Sequence, residues 1–176
     1  MALFCNGDAE RGVPPAPAWL ARILIVATET GMRPGDMIRL SRNHFESTPT
    51  GHRIRIKTNK RQRVVSIPVT KAMARVLAET PRDQMMILVG EKGRPFAASR
   101  SLGQAVQRRR DTCGIRKELR LYDARGTAVT RLFEVGATLR ELTLQMGWSL
   151  PYAATMLQTY AAMTPESADA ILRQAG

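Results

Sequence analysis

Apolar residues recur at helical spacing along most of the chain. Residues 19–27 place apolar side chains three and four positions apart, Pro17 stands at the first turn, and Gly31 is positioned to cap the end. A short helix is expected at residues 34–40. The same pattern predicts later helices at residues 70–80, 99–113, 122–135, 139–146 and 151–160, with a final short helix after residue 165.

Residues 53–67 have a period of two instead. Ile54 and Ile56 alternate with basic residues, and Val65 and Ile67 follow a polar turn, which is typical of a β-hairpin. Residues 85–89 are interpreted as a short third strand. Residues 1–15 show no period and are expected to be a flexible segment before one domain at residues 16–176. The sequence therefore predicts a mainly α protein with a small antiparallel β-sheet, an α+β fold.

The net charge of the chain indicates a polyanionic binding partner. Lysine and arginine number 27 against 15 aspartates and glutamates, which gives a net charge of +12 and a pI near 11.0. Such an excess favours binding to DNA, RNA or an anionic membrane surface. Because aromatic residues make up only 5% of the chain, base stacking on a single strand is disfavoured and contact with a duplex backbone is expected. The residues expected to contact DNA are Lys57, Arg61, Arg63, Arg108, Arg109 and Arg110.

The sequence lacks the residue patterns that several classes of enzyme require. His44 and His52 are the two histidines of the chain and do not form a metal-binding motif. The sequence has no phosphate-binding GK[ST] loop and no GxSxG elbow. We therefore expect neither metal nor cofactor. Two distant cysteines, no secretory pattern and no apolar run near 20 residues favour a cytoplasmic protein.

Four segments and one tyrosine carry the candidate chemistry. In chain order the segments read TGMRPGD at 30–36, KRQRVVSIP at 60–68, LYDARGTA at 121–128 and MGWS at 146–149, with Tyr160 twelve residues after Trp148. In order and spacing they resemble the catalytic domain of the tyrosine recombinases, the phage integrase family. That family has a TG-[LM]-R turn followed by an acid, a hairpin lysine, an HxxR motif, LGH or LGW, and a late tyrosine.

The resemblance implies a strand-exchange site. Arg33 and Arg125 match the arginines that grip the scissile phosphate, whose charge two guanidinium forks would stabilise as phosphorus becomes five-coordinate. Tyr160 matches the nucleophile, which forms a 3′-phosphotyrosyl link that a 5′ hydroxyl can reverse without ATP. Tyr152 is the rival nucleophile, but it lies too close to Trp148 for the family pattern.

Three further positions have assigned roles under this resemblance. Lys60 matches the general acid that protonates the leaving 5′ oxygen, and Lys57 is the alternative. Asp36 is expected either to orient Arg33 or to support its neighbours, while a carboxylate that stabilises its own helix is the structural alternative. Trp148 is expected to hydrogen-bond the phosphate through its indole N–H and to pack against the tyrosine helix.

Tyr122 departs from the family pattern because it stands where the family most often has histidine. A phenol is a weaker base than an imidazole at neutral pH, so proton removal would rely on another group or on water. Tyr122 is therefore expected to contact the phosphate or the nucleophile. The alternative is a core aromatic residue that leaves the role of Arg125 intact.

These observations predict a site-specific recombinase domain that acts on double-stranded DNA. It is expected to be a monomer in solution and a homotetramer on DNA, without a membrane or small-molecule partner. Fewer than twenty residues precede the first catalytic-domain helix, so the family's N-terminal core-binding domain is expected to be absent. The alternatives are a catalytically degenerate DNA-binding remnant of an integrase, a type IB topoisomerase and a helix-turn-helix regulator.

Overall fold

Eight α-helices lie within the part of the chain that the structure describes. This computed structural model describes the backbone of residues 1–161 and the side chains of residues 1–156. None of the helices within these residues has both the length and the apolar character needed to span a bilayer. The helices are α1 Ala2–Asn6, α2 Ala18–Thr30, α3 Pro34–Met37, α4 Lys71–Glu79, α5 Ser99–Thr112, α6 Ala124–Glu134, α7 Leu139–Met146 and α8 Leu150–Ala161.

Three antiparallel strands form one sheet in the order β1 (Phe45–Thr48), β2 (Gly51–Lys57) and β3 (Val64–Pro68). The predicted hairpin is β2–β3, in which Ile54 pairs with Ile67 and Ile56 with Val65. All four of these side chains are buried, as expected for alternate residues on the inner face of a sheet.

The expected third strand at residues 85–89 is wrong. Its place is taken by β1, which pairs with β2. Met86 and Val89 form only isolated bridges, with Ser41 and Pro95. The apolar run there reflects burial, because Ile87 and Leu88 are completely enclosed by the core.

The N-terminal segment also differs from expectation, because residues predicted to lack regular structure form α1. Phe4 is buried in the main core. Nε of Arg109 donates to the carbonyl oxygen of Phe4 over 3.0 Å, and one Nη donates to that of Pro14 over 2.6 Å. The segment is therefore fixed by long-range contacts that no local period reveals.

Glycine at position 31 brings the turn after α2 against the end of α7. Gly31 has a φ of 62° and caps α2 in the left-handed conformation that glycine adopts at little cost. A Cβ atom there would lie 2.6 Å from Cε of Met146 and 3.1 Å from Cβ of Ala128. This close approach brings the turn that precedes Arg33 next to α6 and α7.

Candidate active site

Arg125 is the centre of the candidate site. It lies in the second position of α6 and is only 7% exposed. One Nη donates to the carbonyl oxygen of Gly31, and the other donates to that of Met146 over 2.6 Å. These two carbonyls stand at the C-terminal ends of α2 and α7. Helix C-termini carry partial negative charge, which helps a buried guanidinium remain charged.

The surroundings of Arg125 nevertheless disfavour its charged form. Burial and then the positive charge of Arg33 lower its pKa to about 10, although Tyr122, Asp36 and Tyr152 partly oppose the shift. Among the described side chains, no carboxylate lies within salt-bridge distance of Arg33 or Arg125. Two mutually repelling guanidinium groups favour an anion bound beside them.

Arg33, whose charge acts on Arg125, lies in the turn between α2 and α3. Its backbone is extended, with φ −71° and ψ 148°, and it immediately precedes Pro34 at the first turn of α3. The Arg33 carbonyl accepts from the backbone N–H groups of Asp36 and Met37. Its side chain is half-buried.

Asp36 binds the hairpin turn. Its carboxylate is 3% exposed, and Oδ1 accepts a 2.6 Å hydrogen bond from the backbone N–H of Asn59. Arg39 Nη1 lies 3.9 Å from the same oxygen. Of the roles expected for Asp36, these contacts correspond to support of a neighbouring segment, since Asn59 immediately precedes Lys60.

The hairpin turn itself is a closed backbone loop. Thr58 donates its backbone N–H to the carbonyl of Arg63 over 2.8 Å, and Gln62 donates its own to the carbonyl of Thr58 over 3.0 Å. Gln62 has a φ of 52°, in the left-handed region. All four basic residues of the hairpin that were assigned roles are exposed: Lys57, Lys60, Arg61 and Arg63. The choice of Lys60 over Lys57 as general acid stays a prediction.

Trp148 packs between Arg125 and α8. Its ring is 6% exposed, and Cζ of Arg125 lies 5.5 Å from the ring centre. The ring meets that of Tyr152 edge to face, at 5.2 Å between centres. Tyr152 in turn lies under Arg61, whose Cζ is 5.5 Å from the phenol ring centre. The edge-to-face contact with Tyr152 confirms the expected packing of Trp148 against the tyrosine helix, whereas the contact between Tyr152 and Arg61 was not predicted.

Tyr122 stands at the surface. It is 56% exposed, so the alternative of a core aromatic residue is wrong. It lies in a short 3₁₀ turn, Leu121–Asp123, that leads into α6. A cavity of about 640 Å³ opens beside it. The basic residues that line this cavity are Arg100, Arg110, Lys117 and Arg120.

Tyr160 lies in the last turns of α8, and its side chain lies outside the described residues. Its backbone position, two helical turns after Tyr152, keeps it on the element that packs against Trp148 and α7. The expected helix after residue 165 also lies outside the described residues.

Two of the expected DNA contacts face inward. Arg109 and Arg110 are 7% and 8% exposed. Arg109 holds the N-terminal segment, and Arg110 donates to the carbonyls of Lys117 and Leu119 and pairs with Asp111 at 2.7 Å. Their assignment to DNA is corrected to a structural role, because each guanidinium is used by the protein's own carbonyl groups. Arg108 is exposed and remains a candidate.

Comparison with known proteins identifies the family. The profile of the phage integrase family matches residues 6–167. No curated protein matches the chain.

Solved structures share the fold. A lambda integrase dimer bound to a COC′ core site is 18% identical, with a TM-score of 0.64 over 80% of this chain and 42% of that one. The lambda integrase catalytic core is 17% identical, with a TM-score of 0.61 over 74% and 81%. XerH site-specific recombinase in a post-cleavage complex with a palindromic difH substrate is 19% identical, with a TM-score of 0.62 over 90% and 48%.

The chain spans about two fifths of the lambda integrase chain in the dimer bound to a COC′ core site and in a tetramer bound to a Holliday junction. The expected mainly α fold with a small antiparallel sheet is confirmed by its similarity to the lambda integrase catalytic core. Because the family profile covers nearly the whole sequence, we conclude that this chain belongs to the phage integrase family, the tyrosine recombinases.

Proposed function

We propose that this chain is a site-specific recombinase domain that cuts and rejoins double-stranded DNA by transesterification, without metal or ATP. The observation that carries the proposal is the pair Arg33 and Arg125. Burial and the like charge of Arg33 depress the pKa of Arg125, and neither guanidinium has a carboxylate within salt-bridge distance in the described part of the chain. A scissile phosphate supplies the negative charge that this arrangement favours.

The proposed reaction conserves the number of phosphodiester bonds. The phenol oxygen of Tyr160 attacks phosphorus and gives its proton to a water molecule, and a 3′-phosphotyrosyl bond forms as the bond to the 5′ oxygen breaks. Lys60 donates a proton to that leaving oxygen, which departs as a hydroxyl. A 5′ hydroxyl from another strand reverses the step, so the bond energy is retained in the protein–DNA link.

The aromatic residues have supporting roles in this proposal. The indole N–H of Trp148 donates to a phosphate oxygen, while its ring keeps its place against Arg125 and Tyr152. The exposed phenol of Tyr122 contacts the phosphate from the start of α6. In both cases the fold supplies the position and the side chain supplies one hydrogen bond.

A trapped covalent adduct tests the proposal. A duplex nicked so that the cleaved 5′ end diffuses away should convert to protein-bound DNA that survives denaturing electrophoresis. Wild-type protein should form the adduct and Tyr160→Phe should not, while Tyr152→Phe should still form it. If Tyr160→Phe forms the adduct as wild type does, the nucleophile assignment is wrong.

A catalytically degenerate DNA-binding remnant is the second candidate. Tyr122 favours it, because a phenol is a poor proton acceptor where the family has imidazole. In that case the protein binds duplex DNA and forms no adduct. Adduct formation by Tyr122→His alone would identify position 122 as the cause of the loss.

We further propose that the chain is a monomer in solution that assembles as a homotetramer on DNA and associates with the nucleoid in the cytoplasm. The similarity to a lambda integrase tetramer bound to a Holliday junction supports this assembly. Sedimentation with and without duplex DNA tests it. A tetramer without DNA, or a persistent monomer on a full recombination site, would contradict it.

A further inference from the structure

We propose that Tyr152 is a positioning residue that clasps the β2–β3 hairpin to α8 and thereby aligns the hairpin lysine with the helix of the nucleophile. This inference rests on the proposed recombinase function, because it assigns Tyr152 a role in the same reaction. The observation behind it is a continuous stack of four side chains from four different segments: Arg61, Tyr152, Trp148 and Arg125.

The stack joins the hairpin turn, which Asp36 also holds through Asn59, to α8 and to the centre of the site. Arg61 lies in the hairpin turn next to Lys60, and Tyr152 lies at the start of α8. The Cζ atom of Arg61 is 5.5 Å from the centre of the phenol ring. At its other end the stack reaches Arg125, whose guanidinium donates to the backbone carbonyls of Gly31 and Met146. The ring of Tyr152 therefore lies between Arg61 of the hairpin turn and Trp148, which packs against Arg125 at the centre of the site.

Helix geometry extends this alignment to the nucleophile. Tyr160 follows Tyr152 by eight residues on α8, which corresponds to about 12 Å along a helix. A helix is stiff over two turns, so the orientation at Tyr152 is passed to the backbone at Tyr160. Fixing the first turn of α8 against the hairpin thus sets the approach of nucleophile and acid together.

Arg61 can take part in the clasp and still contact DNA. A guanidinium stacks through its flat face, whereas its N–H groups project from the edge in the same plane. A phosphate that binds the edge would leave the ring contact in place. DNA bound at the hairpin would then stabilise the position of α8, which couples binding to alignment of the nucleophile.

The first measurement is single-turnover adduct formation at saturating DNA. Tyr152→Leu, which removes the aromatic face, should slow the reaction about tenfold, which corresponds to about 1.4 kcal/mol, with DNA affinity within twofold of wild type. Tyr152→Phe, which keeps the ring, should rescue most of the rate. In the double variant Tyr152→Leu/Arg61→Gln, the fold-losses in rate of the two single variants should not multiply, because both substitutions remove the same contact.

The second measurement needs no catalysis. Amide hydrogen exchange at Gln62 and Arg63, whose N–H groups close the hairpin turn, should speed up several-fold in Tyr152→Leu without DNA. Leu150→Ala is the matched control, since Leu150 is 60% exposed on the same helix turn and lies outside the stack. It should leave exchange and rate unchanged.

The outcomes separate the two proposals. If wild type forms no adduct but Tyr152→Leu still speeds exchange, the recombinase function fails and the clasp stands. If adducts form and Tyr152→Leu changes neither exchange nor rate, or its loss multiplies with that of Arg61→Gln, the clasp is overturned. If Tyr152→Phe abolishes the adduct, the hydroxyl acts directly and the positioning role is wrong.

Discussion

Oδ1 of Asp36 accepts a 2.6 Å hydrogen bond from the backbone N–H of Asn59. The bond connects the turn that holds Arg33 to the turn that holds Lys60, two segments that lie more than twenty residues apart in sequence. Because the carboxylate is 3% exposed, water competes with it weakly. The family's acid thus joins two parts of the proposed phosphate site through the backbone.

Removing that acceptor should weaken both the fold and the reaction. Asp36→Ala leaves a backbone N–H without its charged partner, which should lower the free energy of unfolding by about 2 kcal/mol. The rate of adduct formation at saturating DNA should fall at least tenfold, because the Lys60 turn is no longer held. Urea denaturation and the suicide duplex measure the two effects.

Asp36→Asn is the matched control for that change. Its amide oxygen keeps an acceptor at the same place, so it should lose less stability and less rate than alanine. Equal losses in both variants would mean that the charge, and not the bond to Asn59, is what matters at this position.

Arg108 and Arg109 provide a neighbouring pair with opposite expected effects. Arg109→Ala removes the donor to the carbonyls of Phe4 and Pro14, and should cost about 3 kcal/mol in the free energy of unfolding. Arg108→Ala, at an exposed position, should leave stability within about 0.5 kcal/mol and weaken DNA binding. Urea denaturation and DNA titration at one salt concentration decide the matter, and the reverse pattern would contradict the structural assignment of Arg109.

The arginine run shows where the sequence was sufficient and where it was misread. Arg109 and Arg110 continue the spacing of Leu102, Ala105 and Val106 along the buried face of α5, so a helical projection would have placed them inward. Grouped by charge instead, the two arginines were assigned to DNA. The hydrophobic period of a helix does not show which backbone carbonyls will accept hydrogen bonds from a buried guanidinium.

Helix ends were predicted well where capping residues occur. α7 begins and ends as expected, because Thr138 and Glu141 form a capping box and Gly147 adopts a φ of 63°. The helix over residues 2–6 was missed, since its stability depends on Phe4 contacts with distant elements. The contact between Tyr152 and Arg61 was missed for the same reason, because Arg61 lies in the hairpin turn, far from Tyr152 in the sequence.

The exposed hairpin arginines should dominate the salt dependence of DNA binding. Each phosphate contact contributes about 0.9 to the slope of the logarithm of affinity against the logarithm of salt. Arg63→Gln should therefore lower the slope by about 1. Lys71→Gln removes an exposed charge from α4, outside the β2–β3 hairpin and α5, and should leave the slope unchanged. Affinity that does not vary between low and high salt would contradict a phosphate-contacting surface.

Glu141 should make stability depend on pH in a definite direction. The backbone N–H and then the hydroxyl of Thr138 bond its carboxylate and lower its pKa. A carboxyl whose pKa is lower in the folded state stabilises the protein above its unfolded pKa, and that contribution is lost as pH falls through the folded value. The stability difference between wild type and Glu141→Gln should thus be constant above about pH 5 and shrink on acidification. Urea midpoints from pH 3 to 7 measure it, and a difference that grows toward low pH would contradict the capping role.

An oxyanion should bind between Arg33 and Arg125 in the absence of DNA. Sulfate at ten times its dissociation constant should raise the free energy of unfolding by about 1.4 kcal/mol, which thermal unfolding detects as a higher Tm. Arg33→Gln should abolish this gain by removing one of the two charges. Arg140→Gln, an exposed arginine on α7, controls for non-specific salt effects.

The same anion site should respond to alkaline pH through Arg125, whose pKa is about 10 because of burial and the charge of Arg33. A bound anion favours the charged guanidinium and so raises that pKa, and the gain from sulfate should decline as pH rises through 10. Without sulfate the sign is opposite: the folded pKa lies below the unfolded one, so the contribution of Arg125 to stability improves above pH 10. A sulfate effect that survives in Arg33→Gln, or that strengthens above pH 10, would show that the two guanidinium groups do not form a phosphate site.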